Sequence, residues 1–225
     1  MPATHLFLIL IPMAYLIGSI PFGLLVGFAK GIDVRAGGSG NIGATNVGRQ
    51  LGKKYFFYVF FLDMLKSLVP MAIASAVVHH FWADPRDVPL YIYVLWLCVG
   101  FAAVMGHMFS VFLKFKGGKG VATSAGVMLG LWPYFTLPGF LAILVFIVVF
   151  FATRYVSLGS MIGACSFPIF YTIVGTLRGW SPLHKQLPLL LFSILIAAMI
   201  VYKHRTNIQR LLAGTENRFV KKPTV

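Results

Sequence analysis

Long apolar runs dominate this chain, and they restrict the folds that it can adopt. Seven apolar segments alternate with short polar stretches, at about 4–28, 54–80, 90–113, 119–132, 135–152, 157–176 and 187–203. A helix of roughly 20 apolar residues crosses the ~30 Å hydrocarbon core of a bilayer and bonds its backbone groups internally. The sequence therefore predicts an all-α, polytopic integral membrane protein with about seven transmembrane helices, in a single membrane-embedded domain over 1–225.

The fourth and fifth apolar segments are separated by only two residues. As one helix, the region from Gly120 to Ala152 would be about 50 Å long at 1.5 Å per residue, which exceeds the bilayer core. Pro133 and Pro138 lie near its middle, so two shorter helices that are half-buried or strongly tilted are expected. The sequence does not settle whether both cross the membrane completely.

Basic residues are distributed unevenly around the apolar segments. With the N-terminus outside, fifteen of the 19 Lys and Arg residues fall in cytoplasmic loops, and only Arg86, Arg178 and Lys185 fall outside. The positive-inside rule therefore favours seven spans. The basic tail at about 214–225 is expected to lie on the anionic inner leaflet. The net charge of +14 is thus explained by the membrane and indicates no nucleic-acid partner.

Three polar motifs interrupt the apolar pattern, and seven spans bring all three to the cytoplasmic face. They read GGSGNIGATNVGR (37–49), GHMFSVFLKFKGGKGVAT (106–123) and HRTNIQRLLAGTE (204–216). Glycine lets backbone N–H groups approach an anion, and Lys or Arg adds positive charge. Each motif is therefore interpreted as a phosphate-binding loop, although a glycine-rich turn or a polar helix end would explain each motif alone.

The first motif offers side chains and backbone groups for an anion. The candidates for phosphate binding are Ser39, Gly40, Asn41, Thr45, Asn46 and Arg49. A helix that begins after Asn41 would direct its N-terminus at the same anion. Arg49, about two turns later, could reach back to it with a bidentate contact.

The second motif contains two lysines among three glycines, and its phosphate-binding candidates are Lys116, Gly117, Gly118 and Lys119. The Walker pattern requires Ser or Thr after the lysine, whereas Gly120 stands there, so nucleotide hydrolysis is excluded. His107 lies deeper in an apolar run, where a histidine is costly without a partner.

Two further polar features lie near helix ends or within spans. In the third motif, His204 and Asn207 are spaced i, i+3 and share a helical face. Glu216 follows Gly214, which predicts the end of a helix there. Asp63 and Lys66 lie one turn apart within the second span, and they are expected to form an internal ion pair that fixes the span.

The three polar motifs and their flanking segments resemble those of a known family. GSGNIGATN, GHMFSVFLKFKGGKGVAT and HRTNIQRLLAGTE are similar to the signature motifs of the PlsY family, bacterial membrane acyltransferases that acylate glycerol 3-phosphate with acyl phosphate. The flanking SIPFGLLVG, LDMLKS and TRYVSLGS resemble the same family, so the likeness covers almost the whole chain. It implies an active site on the cytoplasmic face of the bacterial inner membrane. It also implies formation of 1-acyl-glycerol 3-phosphate (lysophosphatidate) and phosphate, the first acylation in phospholipid biosynthesis.

The resemblance also implies roles for individual residues. Ser39, Arg49, Lys119, His204 and Asn207 match motif positions that hold the phosphate groups of the two substrates, and Glu216 matches the acidic position of the third motif. An acyl phosphate is already activated, so the reaction needs positioning and anion stabilisation more than a covalent intermediate.

The proton acceptor is left open by the sequence. His107, His204 and Glu216 are the candidate catalytic bases. A phosphate oxygen of the donor is the favoured alternative, because the cytoplasmic loops offer few acids. The same scarcity of carboxylates indicates no metal site, and no cofactor is expected.

Two other functions compete with the acyltransferase hypothesis. A phosphate-ester transporter would also need basic, glycine-broken segments, but it would place them near the midplane and often in matching repeats. A membrane scaffold would leave the motifs unexplained. Acyl-chain preference and oligomeric state remain open, with a monomer as the working expectation. The spacing of Gly23 and Gly27 allows close helix packing either within one chain or between two.

Overall fold

The structure, a computed structural model, describes residues 3–84 and 87–219. Over these residues the chain forms α-helices and short single-turn helices, and no strand. The α-helices are α1 (Ala3–Ser19), α2 (Phe22–Phe28), α3 (Ala44–Leu51), α4 (Lys53–Phe81), α5 (Leu90–Met108), α6 (Val121–Gly130), α7 (Thr136–Thr153), α8 (Val156–Leu177), α9 (Leu187–Lys203) and α10 (Arg205–Leu212). The prediction of an all-α polytopic membrane fold is confirmed.

The helices that are long enough to cross a membrane number five or six in the described residues, compared with about seven predicted spans. Five stretches in the described residues are long and apolar enough to cross a membrane: Ala3–Phe28, Lys53–Phe81, Leu90–Leu113, Thr136–Thr153 and Val156–Leu177. A sixth, α9, continues into α10 through a bend of 57°. The helix α6 has only 10 residues and is about 15 Å long, half of the hydrocarbon thickness. The helix within the predicted segment 119–132 is therefore shorter than a full-length span, in agreement with the expected split into two shorter helices, whereas α7 is long enough. Seven remains the approximate number of membrane segments.

The chain divides into two compact units, Met1–Thr136 and Leu137–Val225. In the first unit, α1 and α5 touch through their backbones at two glycines. A Cβ atom on Gly18 would lie 2.3 Å from the Ala103 oxygen, and one on Gly106 would lie 2.2 Å from the Tyr15 oxygen. Such contacts fix helix spacing, because only glycine allows this approach. The single domain expected from the sequence stays a prediction.

The second unit contains α7 to α10 and exposes apolar side chains. On α7, Leu144, Val148 and Phe151 are each more than half exposed. Large contiguous apolar surfaces are rare on soluble monomers, and lipid is their natural environment here. After α10, the chain turns at Gly214, which has a positive φ of 68°, so the predicted helix end is confirmed. Of the predicted basic tail, residues 220–225 lie outside the described residues.

Candidate functional site

Asn46 organises the loop of the first motif. Its side-chain oxygen accepts a hydrogen bond from the Ser39 N–H at 2.8 Å, and its amide nitrogen donates to the oxygens of Val34 and Asn41 at 2.8 Å and of Gly37 at 3.2 Å. The side chain is 1% exposed. Because an amide nitrogen carries only two hydrogens, it has none left for a phosphate. The predicted donation from Asn46 to phosphate is therefore corrected to a role in shaping the loop.

The apolar underside of this loop rests on α2. Val34, Ile42 and Val47 are buried with Leu24 of α2 in one apolar cluster. A Cβ atom at Gly23 would lie 1.7 Å from the Ile42 oxygen, so the loop backbone lies directly against this helix. Gly23, whose spacing from Gly27 allowed packing within one chain or between two, therefore packs within one chain.

The helix α3 begins at Ala44, after Gly43, so the condition for an anion site at its N-terminus, a helix that begins after Asn41, is met. Gly43 has no side chain with which to cap the helix, and the N–H groups of Ala44 and Thr45 precede the first intrahelical hydrogen bonds. They therefore remain available to an anion. The Gly40 N–H, by contrast, donates to the Gly37 oxygen at 3.0 Å, so the predicted contact of this N–H with phosphate does not fit the loop.

The remaining candidates of the first motif lie around this helix start. Ser39 and Asn41 are half-buried, and the Asn41 side-chain oxygen accepts from the Gly43 N–H at 2.9 Å. Arg49 is half-buried in the last turn of α3. Ser39 and Arg49 keep side chains suited to a phosphate, whereas Asn41 also closes the turn before α3.

The glycines of the second motif are bonded to the end of α5. The N–H of Gly117 donates to the Met108 oxygen at 3.2 Å, and that of Gly118 donates to the His107 oxygen at 3.0 Å. A Cβ atom on Gly118 would lie 2.2 Å from Nε2 of His107, so the loop lies directly over the imidazole. The predicted phosphate contacts through these two N–H groups are corrected, because both groups already donate within the protein.

Two sources of positive charge adjoin at the start of α6. The N-cap of α6 is Gly120, with a positive φ of 83° and no side chain to cap the helix. Lys119 immediately precedes it and is half-buried, whereas Lys116 is exposed. A helix N-terminus carries partial positive charge, and a lysine beside it adds to the attraction for an anion. This arrangement is suited to binding a phosphate.

A buried cluster of charged groups lies on α4 and α5. Nζ of Lys66 is 2.8 Å from Oδ1 of Asp63, and both side chains are less than 5% exposed. The predicted ion pair is confirmed. Nδ1 of His107 lies 3.6 Å from the same Asp63 oxygen. Sequence reasoning singled out His107 but did not find this partner, which lies on another helix.

Glu216 of the third motif, in the second unit, is surrounded by donors. Its carboxylate accepts hydrogen bonds from Ser157 at 2.8 Å, from Asn207 at 2.6 Å and from Arg210 at 2.8 Å. Burial by itself would raise the pKa of Glu216, but the hydrogen bonds from Arg210, Asn207 and Ser157 outweigh it and hold that pKa below its ordinary value of 4.5. A carboxylate with a lowered pKa is a weak general base. Ser157 was not among the predicted residues, although it lies in the quoted TRYVSLGS segment.

His204 occupies the junction between α9 and α10 and is 2% exposed. Its Nδ1 lies 2.7 Å from the Ile200 oxygen. A carbonyl oxygen can only accept, so Nδ1 of His204 donates this hydrogen bond. Within residues 3–84 and 87–219, no three His, Cys, Asp or Glu side chains are grouped to hold a metal ion.

Comparisons with known proteins agree with these features. A family model described as glycerol-3-phosphate acyltransferase matches residues 8–214. A glycerol-3-phosphate acyltransferase of Geobacter sulfurreducens is 46% identical over 214 residues, which cover 94% of this chain and 97% of the relative.

Solved structures give the same result. A crystal structure of PlsY (YgiH), an integral membrane glycerol 3-phosphate acyltransferase in its glycerol 3-phosphate form, is 42% identical with a TM-score of 0.78, over 95% of this chain and 96% of that one. The lysophosphatidic acid form of PlsY matches with a TM-score of 0.77 and 42% identity, over 95% of both chains. The chain is therefore a multi-pass integral membrane protein that belongs to the glycerol-3-phosphate acyltransferase family, the PlsY family.

Proposed function

We propose that this enzyme transfers the acyl group of a long-chain acyl phosphate to sn-glycerol 3-phosphate, with lysophosphatidate and inorganic phosphate as products. The observation that carries the proposal is the start of α6, where Lys119 adjoins a helix N-terminus that has no side-chain cap. The start of α3 also lacks a side-chain cap, and the basic residue of that motif, Arg49, lies in the last turn of the same helix. Two helix starts of this kind, each in a motif with a basic residue, suit a reaction in which both substrates carry a phosphate group. The related crystal structures, in glycerol 3-phosphate and lysophosphatidic acid forms, support the acceptor and the product.

The reaction balances without a covalent enzyme intermediate. The C1 hydroxyl oxygen of glycerol 3-phosphate attacks the acyl carbon, and a new C–O ester bond forms. The bond between the acyl carbon and the phosphate oxygen then breaks, and phosphate leaves with its electron pair. The enzyme supplies orientation and positive charge for the anions of the transition state.

A phosphate oxygen of the donor receives the hydroxyl proton in this proposal. Two of the three candidate bases are poorly placed for that task. The carboxylate of Glu216 accepts three hydrogen bonds and has a lowered pKa, and the ring of His107 lies beneath Gly118. His204 and Asn207, one helical turn apart at the start of α10, are proposed to contact substrate phosphate.

The remaining assignments follow from charge and position. Ser39, Arg49 and Lys119 are proposed to bind substrate phosphate, and Lys116 to attract anions from its exposed position. The N-terminus lies outside, and glycerol 3-phosphate enters from the cytosol at the cytoplasmic face of the inner membrane. The acyl chain enters from the bilayer between helices. The working form is a monomer, with membrane lipids as its surroundings.

The direct test measures lysophosphatidate formation by the purified protein. Glycerol 3-phosphate is supplied with palmitoyl phosphate, and palmitoyl-CoA replaces that donor in a parallel reaction. Product from palmitoyl phosphate alone is expected. Product from palmitoyl-CoA alone would contradict the proposed donor. If the folded protein uses neither donor, counterflow of labelled glycerol 3-phosphate in proteoliposomes then tests the transporter alternative.

A further inference from the structure

The buried cluster of Asp63, Lys66 and His107 connects two motif loops that are distant in sequence. All three side chains are at most 5% exposed. At this depth they do not reach the solvent-exposed side of the loops, and the proposed chemistry uses none of them. Buried charges are costly, however, and they persist where their contacts serve a purpose.

One branch of the cluster leads to the first motif. Nζ of Lys66 donates a hydrogen bond to the Ile20 oxygen at 2.9 Å, at the break between α1 and α2. Pro21 causes this break, because it lacks the N–H that would continue the helix. The next helix, α2, carries Gly23, against which the Ile42 backbone of the first motif packs. The position of Lys66 therefore fixes the start of the helix that supports this loop.

The other branch leads to the second motif. The imidazole of His107 lies 3.6 Å from Asp63 on one side and directly under Gly118 on the other. The backbone oxygen of His107 also accepts the N–H of Gly118. A change in the orientation of His107 would therefore displace the loop that carries Lys119.

We propose that Asp63 is a positioning residue for the acyl transfer, because one of its oxygens contacts both Lys66 and His107. Through Lys66, Asp63 holds the start of α2, on which the first motif packs. Through His107, it holds the imidazole on which Gly118 of the second motif rests. The two phosphate sites are thereby kept at a fixed separation, as direct acyl transfer between two bound substrates requires. This inference rests on the proposed function of the two loops as phosphate sites.

The test uses a double substitution that removes the cluster without leaving an unpaired charge. Asp63→Asn with Lys66→Met replaces the ion pair by neutral side chains of similar size. A folded variant is expected to show at least a tenfold higher KM for glycerol 3-phosphate and a kcat/KM lower by about 100-fold, a change of about 2.7 kcal/mol. A merely structural role would lower the yield or the Tm and leave the KM of the folded fraction unchanged.

Four single substitutions complete the experiment. His107→Gln keeps the ion pair and removes only the second branch, so a lower kcat/KM at an unchanged Tm is expected. Lys66→Arg can donate to both Asp63 and Ile20 and is expected to retain more activity than Lys66→Met. Asp87→Asn, which removes an exposed acid, is the control and should behave as the wild type.

The possible results separate this inference from the proposed function. Wild-type KM and kcat/KM in both the folded double variant and His107→Gln would overturn the inference. If the double variant does not fold, two results together would overturn the inference. His107→Gln would have the kinetics of the wild type, and Lys66→Arg would be no more active than Lys66→Met. If the wild-type protein forms no lysophosphatidate, the proposed function fails. Calorimetric binding of sn-glycerol 3-phosphate to wild type and His107→Gln then tests positioning alone, and equal affinities would contradict it.

Discussion

Asn46 and Gln50 provide a matched pair of substitutions for the first motif. Both side chains donate to the same two carbonyl oxygens, of Val34 and Gly37. Only Asn46 also bonds Ser39 and Asn41. Replacing either residue by alanine therefore removes two shared bonds, but the second donor remains. Only Asn46→Ala leaves groups of the loop without a donor or acceptor.

The free-energy cost of Asn46→Ala follows from the polar groups that lose their hydrogen-bond partner. Asn46→Ala strands the Ser39 N–H and the Asn41 oxygen, and each unsatisfied buried group costs about 1–3 kcal/mol. Water reaches the half-buried part of this loop and reduces that cost, so about 3 kcal/mol in total is expected to favour an open loop. Since 1.4 kcal/mol is a factor of ten, the ratio of closed, binding-competent loops to open loops falls by about 100-fold. Gln50→Ala should cost less than about 1 kcal/mol, because Asn46 still bonds both shared oxygens.

The assay measures lysophosphatidate formation as a function of glycerol 3-phosphate concentration, with saturating acyl phosphate. Asn46→Ala is expected to lower kcat/KM by up to about 100-fold, and Gln50→Ala by less than about fivefold. The double variant should be worse than the sum of the two, because the remaining donor is then lost as well. Thermal unfolding in detergent checks that global stability changes by much less than the local cost.

Equal effects of the two single substitutions would refute this prediction, because only Asn46 bonds Ser39 and Asn41. A small effect of Asn46→Ala with a normal KM would also do so. Asn46→Asp sharpens the result, because aspartate can still accept from Ser39 but cannot donate to the three carbonyl oxygens. It should therefore be at least as damaging as alanine.

Three further predictions concern the other motifs. Lys119→Ala should raise the KM for a phosphorylated substrate and lower turnover severely. Lys116→Ala, at the exposed position, should change kcat/KM by less than about tenfold. Equal steady-state kinetics of the two variants would contradict this ranking. Gly23→Ala should abolish most activity, because its Cβ would lie 1.7 Å from the Ile42 oxygen, and a wild-type Tm and rate would show that the contact is not needed. Because the pKa of Glu216 is lowered in the fold, its charged form stabilises the fold above the unfolded pKa of 4.5, and this contribution is lost as pH falls through the folded pKa. Glu216→Gln should lower the free energy of unfolding by about 1–2 kcal/mol at pH 7. It should also weaken the dependence of the Tm on acidic pH, as measured by thermal unfolding.

The sequence predicted those features that depend on near neighbours in the chain. The apolar segments, the start of α3 and the helix end at Gly214 all follow from local patterns. The pair of Asp63 and Lys66 was predictable because i, i+3 residues share a helix face. The short length of α6 was foreseen only in part, since Pro133 marks a break but not the point at which the helix ends.

Contacts between distant residues were not predictable from this one sequence. Ser157 and Glu216 are 59 positions apart, and no local pattern relates them. The glycine N–H groups of the second motif show a second difficulty. Composition indicated that these groups were available to phosphate, whereas the fold uses them to attach the loop to the end of α5. A backbone donor can serve only one partner well, and the competing acceptor becomes visible only in three dimensions.

The bond between Lys66 and Ile20 has a consequence for the order of assembly. The ribosome delivers α1 and α2 before α4, because synthesis begins at the N-terminus. Until α4 is inserted, the Ile20 oxygen accepts only the N–H of Phe22, and the charged donor that holds this break, Lys66, is missing. The first motif lies between these helices in the chain, yet its support is complete only after the residues that follow it have entered the membrane. Its substrate-binding shape is therefore a late product of biogenesis, formed when α4 docks.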